Sequence, residues 1–106
     1  MNDMIKKVYD FWNSESCGER YAFGESNSER FSNEKKNRYN IEPYIKNFAK
    51  FHEFQNKDVL EIGVGFGCDH SEIAIQKPRS LTGIDLTERA INNTKIRFST
   101  LGLKSI

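Results

Sequence analysis

Three glycines that alternate along the chain, Gly63, Gly65 and Gly67, are the first feature whose spacing could do chemistry. They follow a short apolar run, residues 59–62, that is typical of a buried parallel strand. Glycine adopts positive φ and carries no Cβ, so such a loop turns sharply and lets a ligand approach the backbone. Residues 68–75 favour a helix whose free N–H groups would face the loop. The pattern predicts a nucleotide-type cradle rather than a glycine-rich hairpin, because no second strand follows closely.

A carboxylate is predicted at the end of the second strand. Asp85 lies 22 residues after Gly63, close to the interval of about 20 that separates a glycine loop from a ribose-binding acid. A carboxylate at that place can accept hydrogen bonds from both hydroxyls of a ribose. The alternative role is a local cap for the next helix, but Thr87 suits that position better. We therefore expect Asp85 to hold a nucleoside.

The spacing of the glycines separates two classes of cofactor. A dinucleotide fingerprint has its third glycine three places after the second. Here Cys68 holds that place, and the glycine comes one residue earlier, at Gly67. An acid, Glu61, also stands two places before Gly63. This Glu-x-Gly-x-Gly-x-Gly arrangement, with an acid closing the next strand, resembles the class I S-adenosylmethionine-dependent methyltransferases over residues 57–102.

The resemblance implies S-adenosyl-L-methionine as the cofactor, bound by Glu61, Gly63, Gly65, Gly67, Asp85 and Leu86. The glycines would shape the loop beside the methionine end of the cofactor. Glu61 would anchor that loop and help to place the amino group. Asp85 would hold the ribose, and Leu86 would lie against the adenine. Phe66 is expected either to pack on the cofactor or to support the loop from beneath.

The catalytic residues stay unassigned. Methyl transfer from a sulfonium is an in-line displacement, so holding the acceptor in attack geometry matters most. In the family that the sequence resembles, the acceptor-side residues lie downstream of the region present here. We therefore expect the chain to be the N-terminal part of a longer methyltransferase, with weak cofactor affinity in isolation. The nearly neutral charge balance favours a small-molecule methyl acceptor.

The preceding segment predicts a helical extension over residues 1–56, and residues 57–106 predict the first part of a Rossmann-like domain. The fold class is thus α/β, with the order strand, helix, strand, helix after the N-terminal helices. The predicted helices cover 3–13, 28–40, a segment from Pro43, 68–76 and 88–101, and the predicted strands cover 59–62 and 80–85. Asp3 and Thr87 are expected to cap helices, and Gly102 to end the last one. Asp69 is expected to cap the glycine-loop helix or to suit its positive end.

The N-terminal part carries a second, less extensive likeness. Phe11-Trp12-Asn13, Cys17-Gly18 and Arg38-Tyr39 through Pro43 are similar to the helical N-terminal extension of some bacterial methyltransferases. Residues 17–21 would then either close over the site as a flap or serve as a linker, the latter being the default interpretation.

Composition excludes several other classes. The formal net charge is +1, from 16 basic and 15 acidic residues, so no nucleic-acid-binding face is predicted. No signal sequence or membrane-length apolar run is present, and Cys17 and Cys68 form no disulfide framework, which together indicate a cytoplasmic protein. Cys68-Asp69-His70 lacks zinc-type spacing, so no metal is expected and His70 is predicted to be solvated.

Two alternatives remain at this stage. One is a fragment of an NAD(P)-binding oxidoreductase, which shares the glycine loop and the following acid. The position of the third glycine and the presence of Glu61 count against it. The other is a non-catalytic Rossmann-like module. The oligomeric state is left open by the sequence.

Overall fold

A computed structural model describes residues 2–104 as an α/β chain with a two-stranded parallel sheet. The helices are α1 (Asp3–Ser14), α2 (Asn27–Ile41), α3 (Tyr44–Ala49), α4 (Cys68–Ile75) and α5 (Glu88–Leu101), and the strands are β1 (Asp58–Ile62) and β2 (Ser80–Ile84). Short 3₁₀ helices cover Glu19–Tyr21 and Phe51–Phe54. Within residues 2–104, no helix is long and apolar enough to cross a membrane.

The ends of α5 are those that the sequence predicts. The Thr87 hydroxyl accepts a hydrogen bond from the Ala90 N–H at 3.2 Å, and Gly102 ends the helix at a φ of 68°. Helix α1 begins differently, because its N-cap is Asn2, whose side chain accepts from the Ile5 N–H at 2.8 Å. The predicted cap, Asp3, is instead the first helical residue. Both caps act locally, by supplying an acceptor to an N–H group that has no partner within its helix.

The sheet has one covered face and one open face. Strands β1 and β2 pair in parallel from Asp58 opposite Ser80 to Ile62 opposite Ile84. Side chains alternate along a strand, so Val59 packs with the buried Leu81 towards the helices. On the other face, the exposed fractions are 57% for Leu60, 77% for Ile62 and 47% for Ile84. The prediction of a fully buried β1 is therefore wrong, because within residues 2–104 the helices cover only one side.

The core lies between the covered face of the sheet, α4 and α5. Its buried residues are Phe51, Ile73, Leu81 and Phe98, and partly buried residues such as Ile45, Ala49 and Val59 pack around them. Burial of these side chains supplies the main drive for folding.

A buried ion pair ties the N-terminal helices to the last helix. Nη1 of Arg97 on α5 donates to Oε1 of Glu34 on α2 at 2.9 Å, and both side chains are 1% exposed. Arg97 also donates to the carbonyl oxygens of Phe31 and Phe66. Burial raises the pKa of Glu34, and the charge and hydrogen bonds of Arg97 offset part of that rise. No pattern in the sequence predicts this pair.

A second set of contacts ties α2 to α4. Arg38 donates from Nε and Nη2 to the two carboxylate oxygens of Asp69, at 3.1 and 2.8 Å, and the Tyr39 hydroxyl donates to Oδ1 at 2.7 Å. The expectation that Asp69 caps α4 is wrong, because no side chain caps that helix and Gly67 stands at its N-cap. The Asp69 carboxylate instead holds the two helices together.

Candidate functional site

A cavity opens at the carboxyl ends of the two strands. Its volume is about 630 Å³, and it is lined by Val8, Trp12, Ser16, Cys17, Ile62, Gly63, Gly65, Ile84, Asp85, Leu86, Thr87 and Ala90. Parallel strands end at the same edge of a sheet, so the loops that follow them meet there, and ligands of open α/β sheets bind at this edge. The volume falls within the range of small-molecule sites.

Two of the three glycines face this cavity. The Gly63 N–H donates to the Ile84 carbonyl at 2.8 Å, which continues the ladder of the sheet into the loop. Its φ is 80°, and an added Cβ would meet nothing within 4 Å. At Gly65, where φ is 58°, the nearest atom to such a Cβ is the Cys17 carbonyl oxygen at 3.5 Å. Both glycines line the cavity, so a ligand could approach their backbone closely.

Gly67 packs against α5 and does not line the cavity. An added Cβ would lie 2.9 Å from Oγ1 and 3.1 Å from Cγ2 of Thr94 on α5. The φ of Gly67 is 86°, which side-chain-bearing residues rarely adopt. It is not among the residues that line the cavity. Gly67 therefore lets α5 approach the start of α4.

Asp85 connects the glycine loop with the start of α5. Its Oδ2 accepts from the Gly65 N–H at 3.1 Å, and its Oδ1 accepts from the N–H and hydroxyl of Thr87 at 2.9 and 3.1 Å. Asp85 thus binds the residue that caps α5, and it also lines the cavity, where the ribose contact stays a prediction. A carboxylate has about four lone-pair sites. One site, on Oδ2, is left for a ligand, which suits one ribose hydroxyl rather than two.

Glu61 lies beneath the loop and not in the cavity wall. Its Oε1 is 2.8 Å from Nδ1 of His70 on α4, and the carboxylate accepts the ring N–H. His70 is 6% exposed, so the prediction of a solvated histidine is wrong. The ring fits because Gly83, opposite Glu61 in the sheet, has no side chain. A Cβ at residue 83 would lie 2.8 Å from Cε1 of His70.

Of the two apolar residues near the loop, Leu86 lines the cavity and Phe66 is buried in the interior. Leu86 is 50% exposed and lines the cavity, where it borders a second opening of about 400 Å³. Phe66 is 2% exposed, and its ring centroid lies 5.4 Å from that of Phe31 on α2. Of the two roles left open for Phe66, the structure therefore shows the one beneath the loop.

The N-terminal segment forms a wall of the cavity that the sequence analysis did not assign. Val8 and Trp12 of α1 line it, followed by Ser16 and Cys17. Residues 17–21 do more than link α1 to α2, because Cys17 packs against the glycine loop at Gly65. The aromatic residues beside Cys17-Gly18 were the available signal, but nothing local indicated which surface they meet.

An ion pair fixes this wall to α5. Glu19 accepts hydrogen bonds from Nε and Nη2 of Arg89 at 3.0 and 2.6 Å, and from the Ser16 N–H at 2.8 Å. The Arg89 N–H donates to Oδ1 of Asn13 at 3.2 Å. Burial by itself would raise the pKa of Glu19, but the hydrogen bonds and the charge of Arg89 lower it below its ordinary value. Glu19 is therefore ionised at neutral pH and holds residues 13–19 on the start of α5.

The cavity combines apolar walls with one carboxylate. Six of the lining residues are aliphatic or aromatic, namely Val8, Trp12, Ile62, Ile84, Leu86 and Ala90. Among the described residues, Asp85 is the single acidic one in the lining, and neither lysine nor arginine is part of it. The carboxylate favours a neutral or positively charged group beside it, and the apolar walls favour an apolar one. Within residues 2–104, no group of three or more histidine, cysteine, aspartate or glutamate side chains is placed to hold a metal ion.

Comparisons with protein-family models, with curated proteins and with solved structures found no match for the chain. The assignment of a ligand therefore depends on the cavity and the residues that surround it.

Proposed function

We propose that this chain is the cofactor-binding part of a class I S-adenosylmethionine-dependent methyltransferase with a Rossmann-like domain, and that the 630 Å³ cavity binds S-adenosyl-L-methionine. One observation carries the proposal. Gly63, Gly65 and Asp85, which are separated by up to 22 positions in the sequence, line the same cavity, and Asp85 accepts the Gly65 N–H at 3.1 Å. A glycine loop and an acid at the ends of adjacent parallel strands are the parts that a nucleoside site requires.

The charge of the cavity suits a sulfonium cofactor. S-adenosyl-L-methionine carries a positive sulfur and no phosphate, and Asp85, the only charged residue among the described residues of the lining, attracts that cation. The NAD(P) alternative has an acid at the same place, so the glycine spacing and Glu61 are what disfavour a dinucleotide.

The proposal assigns a role to the carboxylates, to the glycine loop and to Leu86. The remaining lone-pair site of Asp85 accepts a ribose hydroxyl, and the backbone at Gly63 and Gly65 contacts the methionine end. Leu86 packs on the adenine. Glu61 acts indirectly, because its contact with His70 holds α4 beneath the loop. When bound, the cofactor supplies the methyl group, and a small molecule is the proposed acceptor.

A titration of the chain with S-adenosylhomocysteine tests the proposal. Trp12 is the only tryptophan and lines the cavity, so its fluorescence reports occupation directly. We expect S-adenosylhomocysteine to bind and NADH not to displace it. Asp85→Asn should weaken binding about tenfold, the usual effect of losing a charge-assisted hydrogen bond.

The matched control is Asp58→Asn, which makes the same change at an exposed carboxylate at the start of β1, paired with Arg79. This variant should bind like the unaltered chain. Displacement by NADH, or equal affinities in the two variants, would contradict the proposal. Thermal unfolding of each variant shows whether the fold itself is retained.

A further inference from the structure

Ser16 has a buried hydroxyl that no other residue of the described chain satisfies. The residue is 5% exposed and lines the cavity, and its Oγ has no hydrogen-bond partner among residues 2–104. Buried polar atoms are nearly always paired, because an unpaired one loses its bonds to water and gains nothing in return. An exception in the wall of a cavity points to a partner that belongs to the ligand.

The position of Ser16 is fixed from several sides. Its N–H donates to Glu19, and Glu19 in turn binds Arg89 on α5. The next residue, Cys17, brings its carbonyl oxygen to within 3.5 Å of the position that a Cβ of Gly65 would occupy. Ser16 therefore belongs to a wall held against the glycine loop, at the part of the cavity that the proposed function gives to the methionine end.

We infer that the Ser16 hydroxyl binds the charged amino-acid end of the cofactor, and that Glu19 and Arg89 are positioning residues for it. The inference rests on the proposed function and adds a binding residue from outside the glycine loop and β2. A hydroxyl both donates and accepts, so it can bond a carboxylate or an ammonium group. The Cys17 carbonyl beside it supplies a further acceptor for the ammonium.

The inference predicts opposite effects on stability and on binding. In Ser16→Ala the unpaired hydroxyl is lost, so the Tm of the ligand-free chain should stay unchanged or rise. Affinity for S-adenosylhomocysteine, followed by Trp12 fluorescence, should fall about tenfold. Affinity for 5′-methylthioadenosine, which lacks the amino-acid end, should not change. Asp85→Asn should weaken the binding of both ligands, because both contain the ribose.

Ser14→Ala is the matched control. The Ser14 hydroxyl is exposed and donates to the Phe11 carbonyl at the end of α1, outside the cavity lining. This variant should bind both ligands like the unaltered chain.

The positioning role has a readout of its own. Arg89→Gln should weaken the binding of S-adenosylhomocysteine by about two- to fivefold, the range that a partly exposed ion pair supplies, and should leave the affinity for 5′-methylthioadenosine unchanged. Arg89→Lys retains the charge and should restore much of the affinity for S-adenosylhomocysteine.

The outcomes separate the two proposals. If the unaltered chain binds neither S-adenosylhomocysteine nor 5′-methylthioadenosine, the proposed function fails and this inference fails with it. If S-adenosylhomocysteine binds equally to the unaltered chain and to Ser16→Ala, only the role of Ser16 is overturned. Equal weakening of both ligands by Ser16→Ala would overturn its assignment to the amino-acid end. Equal affinity of Arg89→Gln and the unaltered chain for S-adenosylhomocysteine, or equal weakening of both ligands in Arg89→Gln, would overturn the positioning role.

Discussion

Gly63 and Gly67 have almost the same φ angle but different surroundings. Their φ angles are 80° and 86°. A Cβ at residue 63 would enter open space, whereas a Cβ at residue 67 would press on Thr94. The two positions therefore separate the cost of a strained backbone from the cost of a steric clash.

Replacing each glycine by alanine measures the two costs. Gly63→Ala should lower the free energy of unfolding by about 1–2 kcal/mol, the cost of a left-handed conformation for a residue with a Cβ. Gly67→Ala carries that strain together with the clash on α5, so its loss should be larger by about 1–3 kcal/mol. Urea unfolding of both variants makes the comparison. Equal losses would show that Thr94 moves aside without cost.

The sequence predicted the convergence of Asp85 and the glycine loop because both follow parallel strands, whose ends must meet at one edge. It did not predict the partners of His70 and Asp69. Those partners, Glu61 and Arg38, depend on which helix packs on which strand. A polar residue in a short helix carries no local sign of such a contact, so burial of His70 was missed.

At the scale of elements, the pair between Arg97 and Glu34 is the main polar contact across the junction of α2 and α5. It is almost fully dehydrated, and Nε of Arg97 and Oε2 of Glu34 have no hydrogen-bond partner within the described chain. Breaking one half of such a pair is costly, because the other charge stays buried.

Arg97→Met should therefore lower the free energy of unfolding by about 3–5 kcal/mol, and Arg97→Met with Glu34→Met should recover most of that loss. The pKa of Glu34 is already raised by burial, and loss of Arg97 raises it further. For a carboxyl group with a raised folded-state pKa, stability is greatest below the ordinary value of 4.5 and falls as the pH rises through the folded-state pKa. The single variant should accordingly lose less stability in acid.

Denaturant unfolding at several pH values checks this prediction. If the double variant is as unstable as the single one, the ion pair contributes more to the free energy of unfolding than the two methionines that replace it. A loss in the single variant that does not depend on pH would contradict the raised pKa of Glu34.

Helix and strand limits were predicted well because their signals are local. Thr87 caps α5 and Gly102 ends it, as the residue types indicate. Arg97 was missed although its spacing from Ala90 and Thr94 places it on the buried stripe of the helix. A charged residue on such a stripe signals a buried partner, but the sequence does not reveal that the partner is Glu34.

At the scale of the whole molecule, helices pack on one face of the sheet and leave the other face exposed. Leu81 is 3% exposed against α4 and α5, while Leu60 on the opposite face is 57% exposed. Both are leucines in neighbouring strands of the same sheet, which makes them a matched pair for testing the layer arrangement.

Leu81→Ala should lower the free energy of unfolding by about 2–4 kcal/mol, because it leaves a cavity in the core. Leu60→Ala should change it by less than about 1 kcal/mol, since little area is removed from a packed environment. Thermal and urea unfolding check both values. A large loss for Leu60→Ala would mean that the open face is covered in solution by something outside residues 2–104.

The missing side chain at Gly83 has a consequence for how this protein can vary. The side chains of Val64 and His70 fill the space that a larger residue at 83 would take, and His70 binds Glu61 there. The residues that can be tolerated at positions 61, 64, 70 and 83 therefore depend on one another. A mutant library that randomises the four codons together should yield folded combinations that no series of single replacements could reach.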